Sequence, residues 1–126
     1  MKINLAITSA LGLLAVVLGA FGAHTLKEVL SPEQLNSFET AVRYQFYHVF
    51  VVLIVNMYSG FTIAQKKWLS TLFFVGIVLF SGSIYLIQLT AITAKQIWFV
   101  TPLGGVFLIT GWFLMIIIFL KNVKIY

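Results

Sequence analysis

Four uncharged stretches dominate this chain: Ile3–Leu26, Tyr44–Gln65, Trp68–Ala94 and Gln96–Leu120, of 24, 22, 27 and 25 residues. Each exceeds the ~20 residues needed to cross a hydrocarbon layer of about 30 Å as a helix. Lipid offers the backbone no hydrogen bonds, so such spans must satisfy themselves as helices. The alternation of a membrane β-barrel is absent from the sequence. The expected fold is therefore all-α: an integral membrane four-helix bundle, one domain over residues 1–126. Its spans are placed at about residues 3–24, 43–64, 68–91 and 98–120. Composition agrees, with 61% hydrophobic and 9% charged residues in 126. Eleven charges cannot cover the surface of a soluble domain. An N-terminal signal peptide is the competing reading of the first stretch, with small residues at Ala20-Phe21-Gly22. Twenty-four uncharged residues are too many for the ~7–15 of a signal-peptide core, so an uncleaved helix is expected.

The net charge of +5 suggests lipid headgroups rather than nucleic acid, because the basic residues stand in ones and twos between apolar runs. Lys2, Lys66, Lys67, Lys121 and Lys124 fall on one side; Lys27, Arg43 and Lys95 fall on the other with Glu28, Glu33 and Glu39. The excess of basic residues places both termini in the cytoplasm. Trp68 and Trp98, at span starts, suit interface anchors.

The first connection is the long one. Ser31-Pro32-Glu33-Gln34 reads as a helix start: Ser31 caps, Pro32 takes the first turn and Gln34 closes a capping box. Leu35, Phe38 and Val42 then recur at helical spacing, giving an interfacial amphipathic segment that leads into the second span. Glu39 and Arg43, four apart, are placed to pair on its surface. Thr101 is expected to cap the last helix, with Pro102 in its first turn.

Small residues are expected to hold the helices together, since lipid chains compete for apolar contact and close approach decides helix pairing. The first span carries the stripe Thr8, Gly12, Ala15, Gly19 and Ala23, with Gly22 alongside; the third carries Gly76, Ser83 and Thr90, with Gly82 nearby. The fourth carries Gly104, Gly105 and Gly111.

Polar residues within the spans are costly and face the interior. With up-down threading, His24, Tyr44, Gln45, Tyr47, His48, Tyr85, Gln88 and Thr101 are all expected in the outer half of the membrane, with His48 about one turn deeper than His24. This cluster is either a network tying four helices together or a pocket around His24, Gln45, His48 and Tyr85 that takes a small ligand or an ion. Sharper chemistry fails on inventory. There is no Cys and no Asp, and the spans hold no carboxylate for a proton-coupled antiporter. Two His cannot supply the three protein ligands of a zinc enzyme. A haem or metal held by His24 and His48 would consume every His in the chain. No cofactor and no catalytic residue are expected.

Gly19-Ala20-Phe21-Gly22-Ala23-His24, Tyr44-Gln45-Phe46-Tyr47-His48, Phe80-Ser81-Gly82-Ser83-Ile84-Tyr85 and Thr101-Pro102-Leu103-Gly104-Gly105, with Gly111-Trp112 downstream, resemble the domain-of-unknown-function 423 family. These are small multi-pass bacterial membrane proteins related to the eukaryotic transmembrane protein 256 group. The resemblance covers nearly the whole chain. It implies a four-helix protein of the bacterial cell membrane and assigns no activity. The first expectation is a non-enzymatic structural or accessory protein whose partners are the lipid bilayer and other membrane proteins or further copies of itself. Ligand or ion binding at the outer cluster comes second, and a redox or metal-binding role third.

Overall fold

The computed structural model describes residues 1–123, which form four long helices and no strand. These are α1 (Lys2–His24), α2 (Pro32–Met57), α3 (Ile63–Leu89) and α4 (Val100–Asn122), with a 3-10 turn at Leu26–Glu28. Lys124 lies outside the described residues. Three helical segments, Lys2–Glu28, Ile63–Leu89 and Val100–Asn122, are long and apolar enough to cross a membrane. α2 has the length, 26 residues, but carries Glu33, Asn36, Glu39, Arg43, Gln45, His48 and Asn56. The packing explains how it can. Consecutive helices pack as antiparallel neighbours: α1 on α2, α2 on α3, α3 on α4. α2 therefore lies between α1 and α3, and ten of its residues are buried, against three in α1 and five in α4. A helix covered by protein on two sides needs less lipid-compatible surface.

Helix ends are set by local hydrogen bonds. Ser31 Oγ accepts from the Gln34 amide while the Gln34 side chain accepts from the Ser31 amide, with Pro32 opening α2. The same reciprocal box recurs at Thr62 and Gln65, where it starts α3, and at Thr93 and Gln96 in the last connection. The second box shifts a boundary. Residues 63–64, expected at the end of the second span, and 65–67, expected between spans, are the first turns of α3, and the α2–α3 turn falls at 58–62. The amphipathic segment leads without a break into the second span, as expected, and forms the first turns of α2. Phe38 and Val42 are buried with Leu26 rather than spread on an interface. Arg43 donates to the Thr40 hydroxyl at 2.9 Å, on the exposed side of α2, in place of the expected pairing with Glu39. α4 begins with Phe99 at the capping position and no side-chain cap. Thr101 is inside the helix, and Pro102 stands in the first turn, where a missing N–H costs nothing.

The small residues divide sharply. A Cβ at Gly104 would strike the Phe80 backbone nitrogen and lie 2.7 Å from Phe80 Cα, so α3 and α4 meet backbone to backbone there. At Gly111 it would lie 2.7 Å from the Phe73 ring, at Gly76 2.7 Å from Leu108 Cγ, and at Gly22 2.9 Å from the Phe38 ring. Gly12 and Gly19 give only ordinary contact, 3.4 Å, with Val49 and Val42. Gly105 meets a Phe80 ring carbon at 3.9 Å, and Gly82 faces open space. The buried face of α1 runs Thr8, Ala15, Gly22, so Ala23, expected in the stripe, is exposed and Gly22 takes its place. Thr90, likewise expected in a packing stripe, is the exposed residue that ends α3.

Gly104→Ala should therefore lower stability by about 1–3 kcal/mol through overpacking. Gly82→Ala should be neutral or stabilise by up to about 1 kcal/mol, as Ala favours the helix. Thermal unfolding of the two variants in the same detergent checks the difference.

Candidate functional site

The polar side chains of the helices bond across helix interfaces in two layers, and α2 belongs to both. In the first layer Gln45, fully buried on α2, donates from Nε2 to the Leu11 carbonyl of α1 at 2.7 Å. Its Oε1 accepts from the Tyr85 hydroxyl of α3 at 2.7 Å. Nearby, Ser81 of α3 donates to the Ala41 carbonyl of α2 at 2.7 Å. Ser83 Oγ and Thr101 Oγ1 lie 2.5 Å apart and join α3 to α4. That bond explains why Thr101 is not a cap: its hydroxyl is taken by α3.

His48 turns to a different neighbour. Its Nδ1 lies 2.7 Å from the Tyr44 carbonyl, and its Nε2 accepts from the Trp112 indole N–H of α4 at 3.1 Å. An indole only donates, so Nε2 is unprotonated and the proton sits on Nδ1. The imidazole is thus held neutral by two bonds and flanked by Phe73, whose ring centroid is 5.7 Å away. His48 is level with Gly12 and Trp112, close to the middles of α1 and α4.

The second layer lies at the other end. Asn56 of α2 accepts from Asn4 of α1 at 3.2 Å and donates to Ser70 Oγ of α3 at 2.8 Å and to the Val52 carbonyl at 2.8 Å. Lys66, only 6% exposed, donates from Nζ to the Asn56 carbonyl at 2.9 Å. That carbonyl is among the last four of α2, which have no partner within the helix, and an ammonium also suits the negative end of the helix dipole.

Several expectations are corrected here. The polar groups do not gather in one half of the helical layer, because Asn4, Asn56, Lys66 and Ser70 form a bonded cluster at the opposite end. Lys66 is buried and bonded rather than facing headgroups. His24 is exposed at the end of α1. Gly22 meets Phe38 and Gly12 meets Val49, so His24 lies about three turns, ~18 Å along the axis, from the level of His48. The two histidines cannot share a ligand. Gln45 and His48, expected on one face of α2, serve different neighbours. Three residues turn a helix by about 300°, and the ~60° offset sends Gln45 toward α1 and α3 and His48 toward α4. Tyr44 lies outside the Gln45 bonds, with its ring 4.8 Å from that of Phe80, and Gln88 is half-buried near the end of α3. Asn4 and Ser70 carry no expectation from the sequence. The only signal was that Asn4 and Asn56 stand near the same end of neighbouring antiparallel spans.

Comparison with known proteins agrees with this architecture. Over residues 18–105 the chain matches the family model described as "Protein of unknown function (DUF423)". It is 41% identical over 117 residues to a UPF0382 membrane protein of Staphylococcus aureus (strain bovine RF122 / ET3-1), covering 93% of this chain and 94% of the relative. A UPF0382 membrane protein of Staphylococcus epidermidis (strain ATCC 12228 / FDA PCI 1200) is 39% identical over 121 residues, with 96% and 98% covered. No solved structure matches. The chain belongs to the DUF423 family of bacterial membrane proteins.

Proposed function

We propose that the protein acts without catalysis, as a structural or accessory component of the bacterial cell membrane. In this reading α2 crosses the bilayer with the other three helices, and both termini face the cytoplasm. One observation carries it. The most hydrophilic buried side chains, Gln45, His48, Asn56 and Lys66, are all engaged in bonds to neighbouring helices or to helix ends. Such bonds stabilise a bundle in lipid by roughly 0.6 kcal/mol each. What faces outward is an apolar surface suited to lipid and to other membrane components. Lys27, Arg43 and Lys95 stand toward one end of the helices, and the orientation rests on Lys2, Lys67 and Lys121, exposed at the opposite end. Lys66 stands at the same end, bonded inside the α2–α3 turn.

A structural role sets a measurable coupling. Gln45→Leu and Tyr85→Phe should each lower the unfolding temperature, and the double variant should lose less than their sum. The coupling expected is about 0.6 kcal/mol and at most about 1.7. Unchanged stability in both single variants would remove the structural reading. Fusing a cytoplasm-active fluorescent reporter to each terminus in turn should give signal at both. A dark C-terminal fusion would mean an odd number of crossings.

A further inference from the structure

A groove of about 530 Å³ lies on the flank of α2 that faces α4, lined by Tyr44, Tyr47, His48, Phe80, Leu108 and Trp112. Sites for small molecules typically hold ~300–1,000 Å³. The groove opens sideways, because Tyr44, Tyr47 and Trp112 are 40%, 55% and 45% exposed. With α2 crossing the bilayer, its mouth meets acyl chains rather than water. Its walls are flat. Tyr44 and Phe80 stand 4.8 Å apart between centroids at 31°, and Trp112 is fixed edge-on to His48 by the indole–imidazole bond.

Two of the residues that line this groove carry unspent polar groups. The hydroxyls of Tyr44 and Tyr47 have no protein partner among the described residues, whereas that of Tyr85 is bonded to Gln45. Both tyrosines lie within about one turn of His48, so they sit well inside the ~15 Å half-thickness of the hydrocarbon. A hydroxyl exposed to acyl chains there is unfavourable until an acceptor reaches it. A saturated chain would fill the apolar space and leave both hydroxyls unmet.

We propose that this groove binds a flat, lipid-soluble molecule carrying carbonyl oxygens, of the quinone class. Its ring lies against Tyr44, Phe80 and Trp112, and its oxygens accept from the Tyr44 and Tyr47 hydroxyls. The inference concerns binding alone. It extends beyond the structural role and shares with it only the membrane crossing of α2.

The chain has three Trp, so Trp68→Phe with Trp98→Phe leaves Trp112 as the sole indole reporter. This variant, in lipid nanodiscs, is titrated with menadione (a naphthoquinone without a prenyl tail), and its fluorescence is followed. Binding gives quenching that saturates. Tyr47→Phe should raise the half-saturation concentration up to about tenfold, as expected for one hydrogen bond lost. Gly105 also lines the groove, and a Cβ there meets nothing closer than 3.9 Å. Gly105→Leu should therefore block the groove and abolish saturation while thermal unfolding stays unchanged. Quenching that rises linearly without saturation overturns the proposal, as does a saturation curve that neither Tyr47→Phe nor Gly105→Leu alters. The helix-coupling measurement on Gln45 and Tyr85 stands or falls separately.

Discussion

A helix that carries Gln, His and Asn can rest among acyl chains only if other helices take up every one of those polar groups. With α2 crossing the bilayer as proposed, that constraint accounts for the arrangement of this protein. α2 holds Gln45, His48 and Asn56, so it lies between α1 and α3 and reaches α4 through Trp112. The outer members of the series, α1 and α4, can then be almost wholly apolar, because α2 contributes most of the polar bonding. The buried side-chain nitrogens and oxygens of the described residues all have partners, as this division of labour requires.

Packing and polar bonding serve different seams. The α3–α4 seam depends on shape: Gly76 under Leu108, Gly104 against the Phe80 backbone, and Gly111 under the Phe73 ring. Only the Ser83–Thr101 bond adds a polar link there. The α1–α2 seam is tight at Gly22, under the Phe38 ring, and looser at Gly12 and Gly19, with 3.4 Å contacts; Gln45 on Leu11 and Asn4 on Asn56 hold it at intervals. Where backbones touch, dispersion suffices. Where side chains intervene, directed bonds set the register. On the flank between α2 and α4 the directed bond is that of Trp112 to His48, and beside it the groove opens.

The sequence made the number of helices legible, because uncharged runs of this length have one stable form in lipid. It also disclosed the start of α2, since Ser31, Pro32 and Gln34 are local chemistry. It hid the start of α3 although Thr62 and Gln65 are the same chemistry, because charge counting treats the stretch from Tyr44 to Gln65 as one unit. Lys66 was misjudged for a related reason. A lysine beside a turn is normally solvated, and only the fold shows that the end of α2 supplies a carbonyl for it. Gly22 displaced Ala23 because register on α1 is set by the Phe38 ring of another helix. The shared site of Gln45 and His48 failed on angle: facing a helix interior does not fix which neighbour is faced.

All of this depends on α2 running from one side of the membrane to the other. The chain has no native Cys, so Glu33→Cys and Ser59→Cys, both at exposed positions bracketing α2, can each be labelled with a membrane-impermeant maleimide on intact cells. A crossing helix predicts labelling at position 33 from outside and at position 59 only after the membrane is opened. Labelling of both positions from the same side would contradict it, and would make α2 a helix lying along one face of the membrane.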